Sequence, residues 1–358
     1  MGNLLDSKRR QFGDFAVIDF SDERDLVEVR QRLSIDAPLT VRWNAWEYGS
    51  QISEIRRLYE KAKKAQWNAT EDLDWSLPVS NDEWVGKPDH SLLANILGLM
   101  GASDATRKAA MFDEVGWLLS QLLHGEQAAL QICGQLTNLC PTTDEKFYAA
   151  SQAADEARHT EVFARFLSEK MGTIYPMSPV SKTLLDELLS VQGYEMKTLG
   201  MQTLFEGFAM GLMDMMRQSL VHPLFVDMLK RVMRDEARHA AFGVLTMRRV
   251  VAESSEPERH RMEDWSLGLL EALNANQNMS MLRELGPKYG IDPDAVTQGM
   301  LMAPEWVEMN SPVFMHTVVP NLVRLGLISE RTRGRWQQLG MLTDIKKAQA
   351  GPVEPDLT

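Results

Sequence analysis

Two copies of one pentapeptide combine a carboxylate with an imidazole at a spacing that suits metal binding. The sequence Asp-Glu-Ala-Arg-His occurs at residues 155–159 and again at residues 235–239, so each copy contains Glu-x-x-His. Residues three apart lie on the same face of an α-helix. A single Glu-x-x-His would mean little, because both residue types are common on helix surfaces. Each copy can offer one edge of a metal site: Glu156 with His159, and Glu236 with His239.

Thirty residues before each of these glutamates, another glutamate lies in an otherwise apolar helical stretch. Glu126 lies in QLLHGEQAALQI, and Glu206 lies in MQTLFEGFAMGLM. A charged side chain is costly to bury in such a stretch unless it is paired or bound to a metal. Adding 80 to the three residue numbers of the first set gives those of the second. The bland alternative, two solvated charged helix faces, accounts poorly for these two apolar-embedded glutamates.

The spacing also predicts that the two sets meet in space. The midpoint between the first two glutamates is Pro141, and the midpoint between the second two lies beside His222-Pro223. Both sites are predicted turns, so each glutamate lies ~20 Å along its helix from a turn, at ~1.5 Å per residue. Two such antiparallel hairpins bring four glutamates and two histidines to one layer of a four-helix bundle. That is the ligand set of a carboxylate-bridged di-iron or di-manganese site.

Hydrophobic periodicity predicts an all-α protein around these hairpins. We expect one ferritin-like helical domain over residues 1–345, with its metal-binding core at about 104–255 and a flexible tail at 346–358. Helical spacing predicts a helix over 46–68, whereas Pro, Gly, Asp and Asn predict a loop over 69–90. Helix breaks are expected at 141–143, 172–179, 222–223, 256–257, 286–287 and 290–293, and extended or irregular structure over 1–45.

Composition excludes several other classes of protein. The chain has 358 residues, 44% of them hydrophobic, and a formal net charge of -12 that argues against nucleic acid as a partner. The two cysteines, Cys133 and Cys140, form neither a zinc pattern nor a disulfide framework. No apolar run is long enough to span a membrane, and the N-terminus lacks the apolar region of a signal peptide, so we expect a cytoplasmic protein. Motifs of nucleotide-binding proteins and serine hydrolases are absent.

With these motifs the chain resembles the ferritin-like di-iron-carboxylate superfamily, in the branch of oxygenases, desaturases and ribonucleotide reductase small subunits. The resemblance covers residues 104–255 and, more weakly, 46–75. It implies two iron ions, or manganese or a mixed Mn/Fe pair, with O2 as co-substrate. It also implies that Asp155 holds His239 and Asp235 holds His159. Two arginines, Arg158 and Arg238, would neutralise these aspartates, although ordinary surface charge is the alternative for both.

Two departures from the family's patterns argue against radical chemistry and crosslinking. The position of the radical tyrosine in reductase small subunits, four residues after the first ligand histidine, holds Phe163. The ligand-binding oxidases carry a Val–Tyr crosslink whose two positions here hold Ala129 and Met201. We therefore expect neither a tyrosyl radical at that position nor this crosslink.

Two further departures concern ligands and proton relay. Aryl-amine N-oxygenases use a seventh ligand, a histidine four residues before the last glutamate, and that position holds Val232. The sequence thus predicts a site with six ligands. Hydroxylases and desaturases often place a threonine one turn after the third glutamate, where this chain has Ala209 and Met210. A threonine-assisted relay is therefore not expected.

These observations predict an O2-dependent oxidoreductase that oxidises a small or medium, lipophilic organic substrate by hydroxylation, desaturation, oxidative cleavage or N-oxygenation. The 22 methionines cluster partly around Glu206, and a soft apolar pocket would suit such a substrate. The alternative is that these methionines merely fill the core. The predicted pocket residues are Met201, Gln202, Thr203, Met210, Met213 and Phe163.

Other functions stay open at this stage. The chain could be a ferroxidase or metal-binding protein without an organic substrate, or a radical-free oxidase related to reductase small subunits. A structural bundle with degenerate motifs is a third reading. For the oxygenase, we expect a ferredoxin or flavoprotein reductase as the electron donor, and a homodimer.

Overall fold

The computed structural model describes residue 42 and residues 48–274, 277–296 and 314–342. In this part of the chain the regular structure is helical, and extended backbone pairs only at one isolated bridge between Gly86 and Leu220. The predictions for residues 1–45, apart from residue 42, and for the tail at 346–358 lie outside the described residues. No described helix is both long enough and apolar enough to cross a membrane. The all-α prediction is confirmed.

Twelve α-helices occur in the described residues, and we number them in chain order. They are α1 (Ser53–Lys64), α2 (Leu92–Leu99), α3 (Asp104–Leu139), α4 (Thr143–Arg165), α5 (Pro179–Ser190), α6 (Tyr194–Leu199), α7 (Glu206–Ser219), α8 (Pro223–Glu253), α9 (Glu256–Asn274), α10 (Gln277–Leu285), α11 (Phe314–Arg324) and α12 (Glu330–Gln338). Two π-helical turns, Phe166–Met171 and Gly200–Phe205, follow α4 and precede α7, and short 3-10 helices occur at Pro88–His90 and Gly286–Tyr289.

Local sequence explains where the two central hairpins turn. Between α3 and α4, the Thr142 hydroxyl accepts from the Glu145 backbone N–H, and the Glu145 carboxylate accepts from the Thr142 backbone N–H. This capping box satisfies donors that the start of a helix leaves open. The second hairpin turns before Pro223, which occupies the first position of α8, where a missing N–H costs nothing. Both turns lie where the sequence predicted them.

The structure corrects the predicted helices in three places. The helix expected over 46–68 is shorter, Ser53–Lys64. A further break separates α5 from α6, at Gly193, whose φ of 89° belongs to the left-handed region that favours glycine. The backbone between α6 and α7 also widens into the π-helical turn Gly200–Phe205, which has no distinct signal in the hydrophobic pattern.

Helices α3, α4, α7 and α8 form the four-helix core, with α6 and its π-helical turn extending α7. The additional helices cover this core: α1 packs against α4 and α8, α2 and α10 against α3, and α11 against α7. Helix α9 contacts α5 and α12. A four-helix bundle with additional N- and C-terminal helices was the predicted architecture.

A layer of charged side chains divides the apolar interior of the bundle. On one side lies a cluster that we call the first core cluster, which includes Ala129, Ile132, Met201 and Met247. On the other side lies the second core cluster, which includes Val115, Phe163, Met213, Leu229 and Val232. On each core helix, the predicted metal ligands lie between the residues of the first core cluster and those of the second.

Candidate metal centre

Six side chains from four helices meet in the charged layer. Each of the six is at most 2% exposed to solvent. Helix α3 supplies one glutamate and α7 another, while α4 and α8 each supply a glutamate and a histidine three residues later. The residues are Glu126, Glu156, His159, Glu206, Glu236 and His239. These are the six residues predicted as metal ligands.

The six side chains form two groups of four that share two carboxylates. One group contains Glu126 and His159, the other contains Glu206 and His239, and both contain Glu156 and Glu236. Within each group the potential ligand atoms all lie within 4.8 Å of one another. The arrangement therefore offers two adjacent positions for metal ions, with two carboxylates placed between them.

Short contacts between imidazole and carboxylate atoms define the first position. His159 Nδ1 lies 3.0 Å from Glu236 Oε1, 3.2 Å from Glu156 Oε2 and 3.5 Å from Glu126 Oε2. Among the residues that the structure describes, none forms a hydrogen bond of good geometry with His159 Nδ1, Glu156 Oε2 or Glu236 Oε1. Buried polar atoms are rarely left in this state unless an ion or water completes them. The unsatisfied atoms point to a metal as the missing partner.

The second position repeats this geometry on the other side of the shared carboxylates. His239 Nδ1 lies 3.0 Å from Glu236 Oε2, 3.2 Å from Glu156 Oε1 and 3.6 Å from Glu206 Oε1. The centroids of the two imidazole rings, of His159 and His239, are 6.0 Å apart. The two halves of the site thus follow the internal repeat of the sequence.

Without metal, the site would have to hold protons. Burial raises the pKa of Glu206 well above its usual range, and the charges of Glu236 and Glu156 raise it further. Burial disfavours an imidazolium at His239, but Glu156 and Glu236 outweigh it and raise the pKa of His239 to about 10. Burial also disfavours an imidazolium at His159, but its contact with Asp235 and the close carboxylates of Glu126, Glu156 and Glu236 outweigh burial and keep the pKa of His159 well above its usual range. A metal cation would displace these protons.

Two aspartates hold the outer nitrogens of the two histidines. His159 Nε2 lies 3.2 Å from Asp235 Oδ2, and His239 Nε2 lies 3.3 Å from Asp155 Oδ2. Each aspartate therefore serves the histidine of the opposite helix. This is the pairing that the resemblance implied, and such partners fix the orientation of a ligand imidazole.

The two motif arginines join both aspartates rather than facing solvent. Arg158 Nη2 lies 2.5 Å from Asp155 Oδ1 and 2.8 Å from Asp235 Oδ2. Arg238 Nη2 lies 3.1 Å from Asp155 Oδ2 and 2.5 Å from Asp235 Oδ1. Both arginine side chains are about one-tenth exposed. The two guanidinium groups thus balance the charges of the two buried aspartates.

Three residues that contact the predicted metal ligands or their aspartates were not predicted. Gln66 donates to Asp155 Oδ1 at 3.0 Å, and Trp67 Nε1 donates to Asp235 Oδ2 at 2.8 Å. Both residues lie in the segment after α1, far from the motifs in sequence, and no local pattern marks them. The third residue is Gln152, which lies four residues before Glu156. Its side-chain amide donates hydrogen bonds to Glu156 and Glu206. Its helical register with Glu156 was the one available signal.

The structure divides the predicted substrate-pocket residues between the two core clusters. Met201 belongs to the first cluster, whereas Phe163 and Met213 belong to the second. Gln202 and Thr203 are buried in the π-helical turn. Met210 is half-buried in α7. These residues flank the charged layer on both sides, and their role towards a substrate stays a prediction.

Four antiparallel core helices with shared carboxylates and paired histidines define a dimetal-carboxylate class of helical protein. The chain matches the family model described as p-aminobenzoate N-oxygenase AurF over residues 51–319, about three quarters of its 358 residues. It therefore belongs to the AurF family. Membership confirms the predicted superfamily and the predicted class of enzyme, an O2-dependent oxidoreductase that acts on an organic substrate.

Among solved structures, the chain is similar to variants of an R2-like ligand-binding oxidase. One, with an anaerobically reconstituted Mn/Fe cofactor, is 18% identical, with a TM-score of 0.49, over 80% of this chain and 94% of that chain. A second, likewise reconstituted anaerobically, is 18% identical with a TM-score of 0.46, over 72% and 91% of the two chains. A search of curated proteins gives no match.

Proposed function

We propose that the six buried side chains bind two transition-metal ions, each with one glutamate and one histidine of its own. The remaining two glutamates would bridge the ions. Iron is the first choice because the ligands are carboxylates and imidazoles, although the same ligands accept manganese or a mixed pair. The assignment is Glu126 and His159 for one ion, Glu206 and His239 for the other, and Glu156 and Glu236 as bridges.

Charge and hydrogen bonding support this assignment. Four buried glutamates in one layer carry four negative charges, which two divalent cations would balance. The carboxylate of Asp155 faces His239 on the side away from Glu236, so the imidazole can present Nδ1 to a metal and Nε2–H to the aspartate. Asp235 faces His159 in the same manner. This is the usual arrangement around a metal-bound histidine.

The proposed reaction is the transfer of one oxygen atom from O2 to an organic substrate, with N-oxygenation of an aromatic amine as the first candidate. The two ions, when bound, would supply the redox chemistry with O2. The chain's own contribution is to hold the ligands rigidly and to exclude water, because apolar clusters enclose the charged layer on both sides. The observation that carries the proposal is this enclosed six-residue site within an AurF-family chain.

One residue separates this site from the seven-ligand pattern of aryl-amine N-oxygenases. Val232, fully buried in the second core cluster, occupies the position of the additional histidine. We therefore propose a six-ligand centre. Oxidation at carbon, by hydroxylation, desaturation or cleavage, is the alternative outcome.

The test is product analysis with the reconstituted protein. Apoprotein would be loaded anaerobically with Fe(II), mixed with a panel of aromatic amines and lipophilic aromatics, and exposed to 18O2 with a chemical reductant. Incorporation of 18O into an organic product supports the proposal, and fragmentation of the labelled product in tandem mass spectrometry identifies the oxidised atom. Consumption of O2 with an iron mineral core and no product would instead favour a ferroxidase. A Glu156→Ala variant serves as the control without a bridging ligand.

We further infer an external electron donor, a homodimer and a cytoplasmic location. Insertion of one oxygen atom, with release of the other as water, needs two electrons and two protons beyond those of a two-electron substrate oxidation. A ferredoxin or a flavoprotein reductase would supply them, and stopped-flow reduction by each class of donor would distinguish the two. Light scattering of the purified chain tests the dimer, and fractionation of the native cells tests the location.

A further inference from the structure

Gln152 links two of the glutamates from inside the bundle. It lies on α4, is fully buried, and stands one turn before Glu156. Its Nε2 donates to Glu156 Oε1 at 3.1 Å and to Glu206 Oε1 at 2.6 Å. One amide thus joins a shared carboxylate to the carboxylate that belongs to the second position alone.

A second glutamine fixes the orientation of this amide. Gln202 Nε2 donates to Gln152 Oε1 at 2.8 Å, so the Gln152 carbonyl faces Gln202 and its NH2 group must face the glutamates. Gln202 lies in the π-helical turn that leads directly into α7, and it is 3% exposed.

The close approach of two backbones sets the place of Gln202. A Cβ atom at Gly243 of α8 would lie 2.4 Å from the Gln202 carbonyl oxygen. Glycine at this position therefore allows the π-helical turn to pack directly against α8. The turn, and with it the Gln202 side chain, is therefore held by this close main-chain approach in addition to the packing of its apolar side chains in the first core cluster.

The glutamine is present in only one of the two sequence repeats. Adding 80 to residue 152 gives Val232, which is also fully buried and also stands one turn before a glutamate, Glu236. In the described part of the chain, no side-chain amide donates to Glu126, the residue that matches Glu206 by the repeat. The arrangement of the predicted ligands is symmetric, but among the described residues the hydrogen bonding to them from a glutamine occurs only at the second position.

We propose that Gln152 is a positioning residue for the second metal position, and that Gln202 orients it. The Gln152 amide holds Glu206 and Glu156 at a fixed separation, so the second position depends on a hydrogen bond that the first position lacks. The two positions therefore differ in affinity and in their response to mutation. This inference rests on the proposed dimetal site, and its experiment separates the two claims.

The experiment is a Mn(II) titration of apoprotein, in which electron paramagnetic resonance reports free Mn(II). Wild type is expected to bind two Mn(II) per chain. Gln152→Leu should weaken one of the two sites, by ~10–100-fold, the loss typical when an outer partner of a ligand is removed. The affected site should be the one that Glu206→Ala abolishes. Gln202→Leu leaves the Gln152 amide in place but removes the hydrogen bond that orients it, so it should weaken the same site by a smaller factor.

Val232→Ala is the matched control, because it alters a buried side chain at the equivalent offset without touching a polar contact. It should leave both Mn(II) affinities within about threefold while lowering the apoprotein Tm through lost packing. Two wild-type-like sites in Gln152→Leu would overturn the inference alone, and so would equal weakening of both sites. Fewer than two Mn(II) per wild-type chain would overturn the proposed function and the inference together.

Discussion

Replacement of Asp155 by asparagine removes one charge from the network behind the metal site and keeps its shape. The carboxylate receives hydrogen bonds from Gln66, Arg158 and Arg238 and faces His239 Nε2. Burial alone would raise the pKa of Asp155, but the hydrogen bond from His239 and the nearby positive charges outweigh it and lower the pKa from 3.8 to about 2. The aspartate is therefore more stable as an anion in the folded protein than in the unfolded chain.

The lowered pKa gives the size of the effect. A pKa change of one unit corresponds to ~1.4 kcal/mol, so the anionic Asp155 contributes about 2 kcal/mol to folding at neutral pH. Because the folded-state pKa is depressed, this contribution is present above pH ~4 and is lost as the pH falls towards 2. Asp155→Asn should lower the free energy of unfolding of the apoprotein by about 2 kcal/mol at pH 7. The difference in the free energy of unfolding between the variant and wild type should become smaller below pH ~4.

Urea unfolding of the two apoproteins, followed by circular dichroism at several pH values, measures this difference. Asp186→Asn is the control, because the Asp186–Lys182 pair on α5 is more than a third exposed and such pairs contribute little. The reasoning would be refuted if Asp155→Asn unfolds at the same urea concentration as this control at pH 7. It would also be refuted if its deficit were unchanged at pH 3.

Three further predictions concern the site and its scaffold. The affinity for metal should rise as the pH rises towards 10. The pKa of His239 is raised to about 10, so below that pH a metal ion must displace the imidazole proton in order to bind. Calorimetry in buffers of different ionisation enthalpy should show this proton release. Gly243→Ala should destabilise the protein by about 1–3 kcal/mol, because the new methyl group would overlap the Gln202 carbonyl oxygen; thermal unfolding checks this, and an unchanged Tm would contradict it. Glu126→Ala should leave one metal per chain, as measured by elemental analysis after anaerobic loading, and retention of two would contradict the assignment.

The sequence was sufficient to predict the core of the bundle and the meeting of its six charged residues. The reason is geometric: the glutamates of each hairpin lie at equal distances from a turn that is marked by proline, and the first turn is also marked by the capping residue Thr142. In antiparallel helices, equal distances from the turn place residues at the same level. Pro141 and Pro223 therefore carried more information about the site than composition did.

Features that depend on long-range contacts could not be read from the sequence. Gln66 and Trp67 reach the aspartates from the segment after α1, and nothing in their local sequence distinguishes them from surface residues. The π-helical turn before α7 shifts the register of Gln202 and Thr203, and an ordinary helical periodicity does not reveal such a turn. The methionine pattern likewise did not show that Met201 and Met213 would lie on opposite sides of the charged layer.

Anomalous diffraction from crystals of the Fe(II)-loaded protein, with data collected on both sides of the iron edge, tests the central claim most directly. The account predicts two iron peaks per chain in the charged layer. One should lie against Glu126 and His159, the other against Glu206 and His239, with Glu156 and Glu236 between them. A fully loaded crystal with no iron peak in this layer, or with iron bound only at other residues, would contradict it.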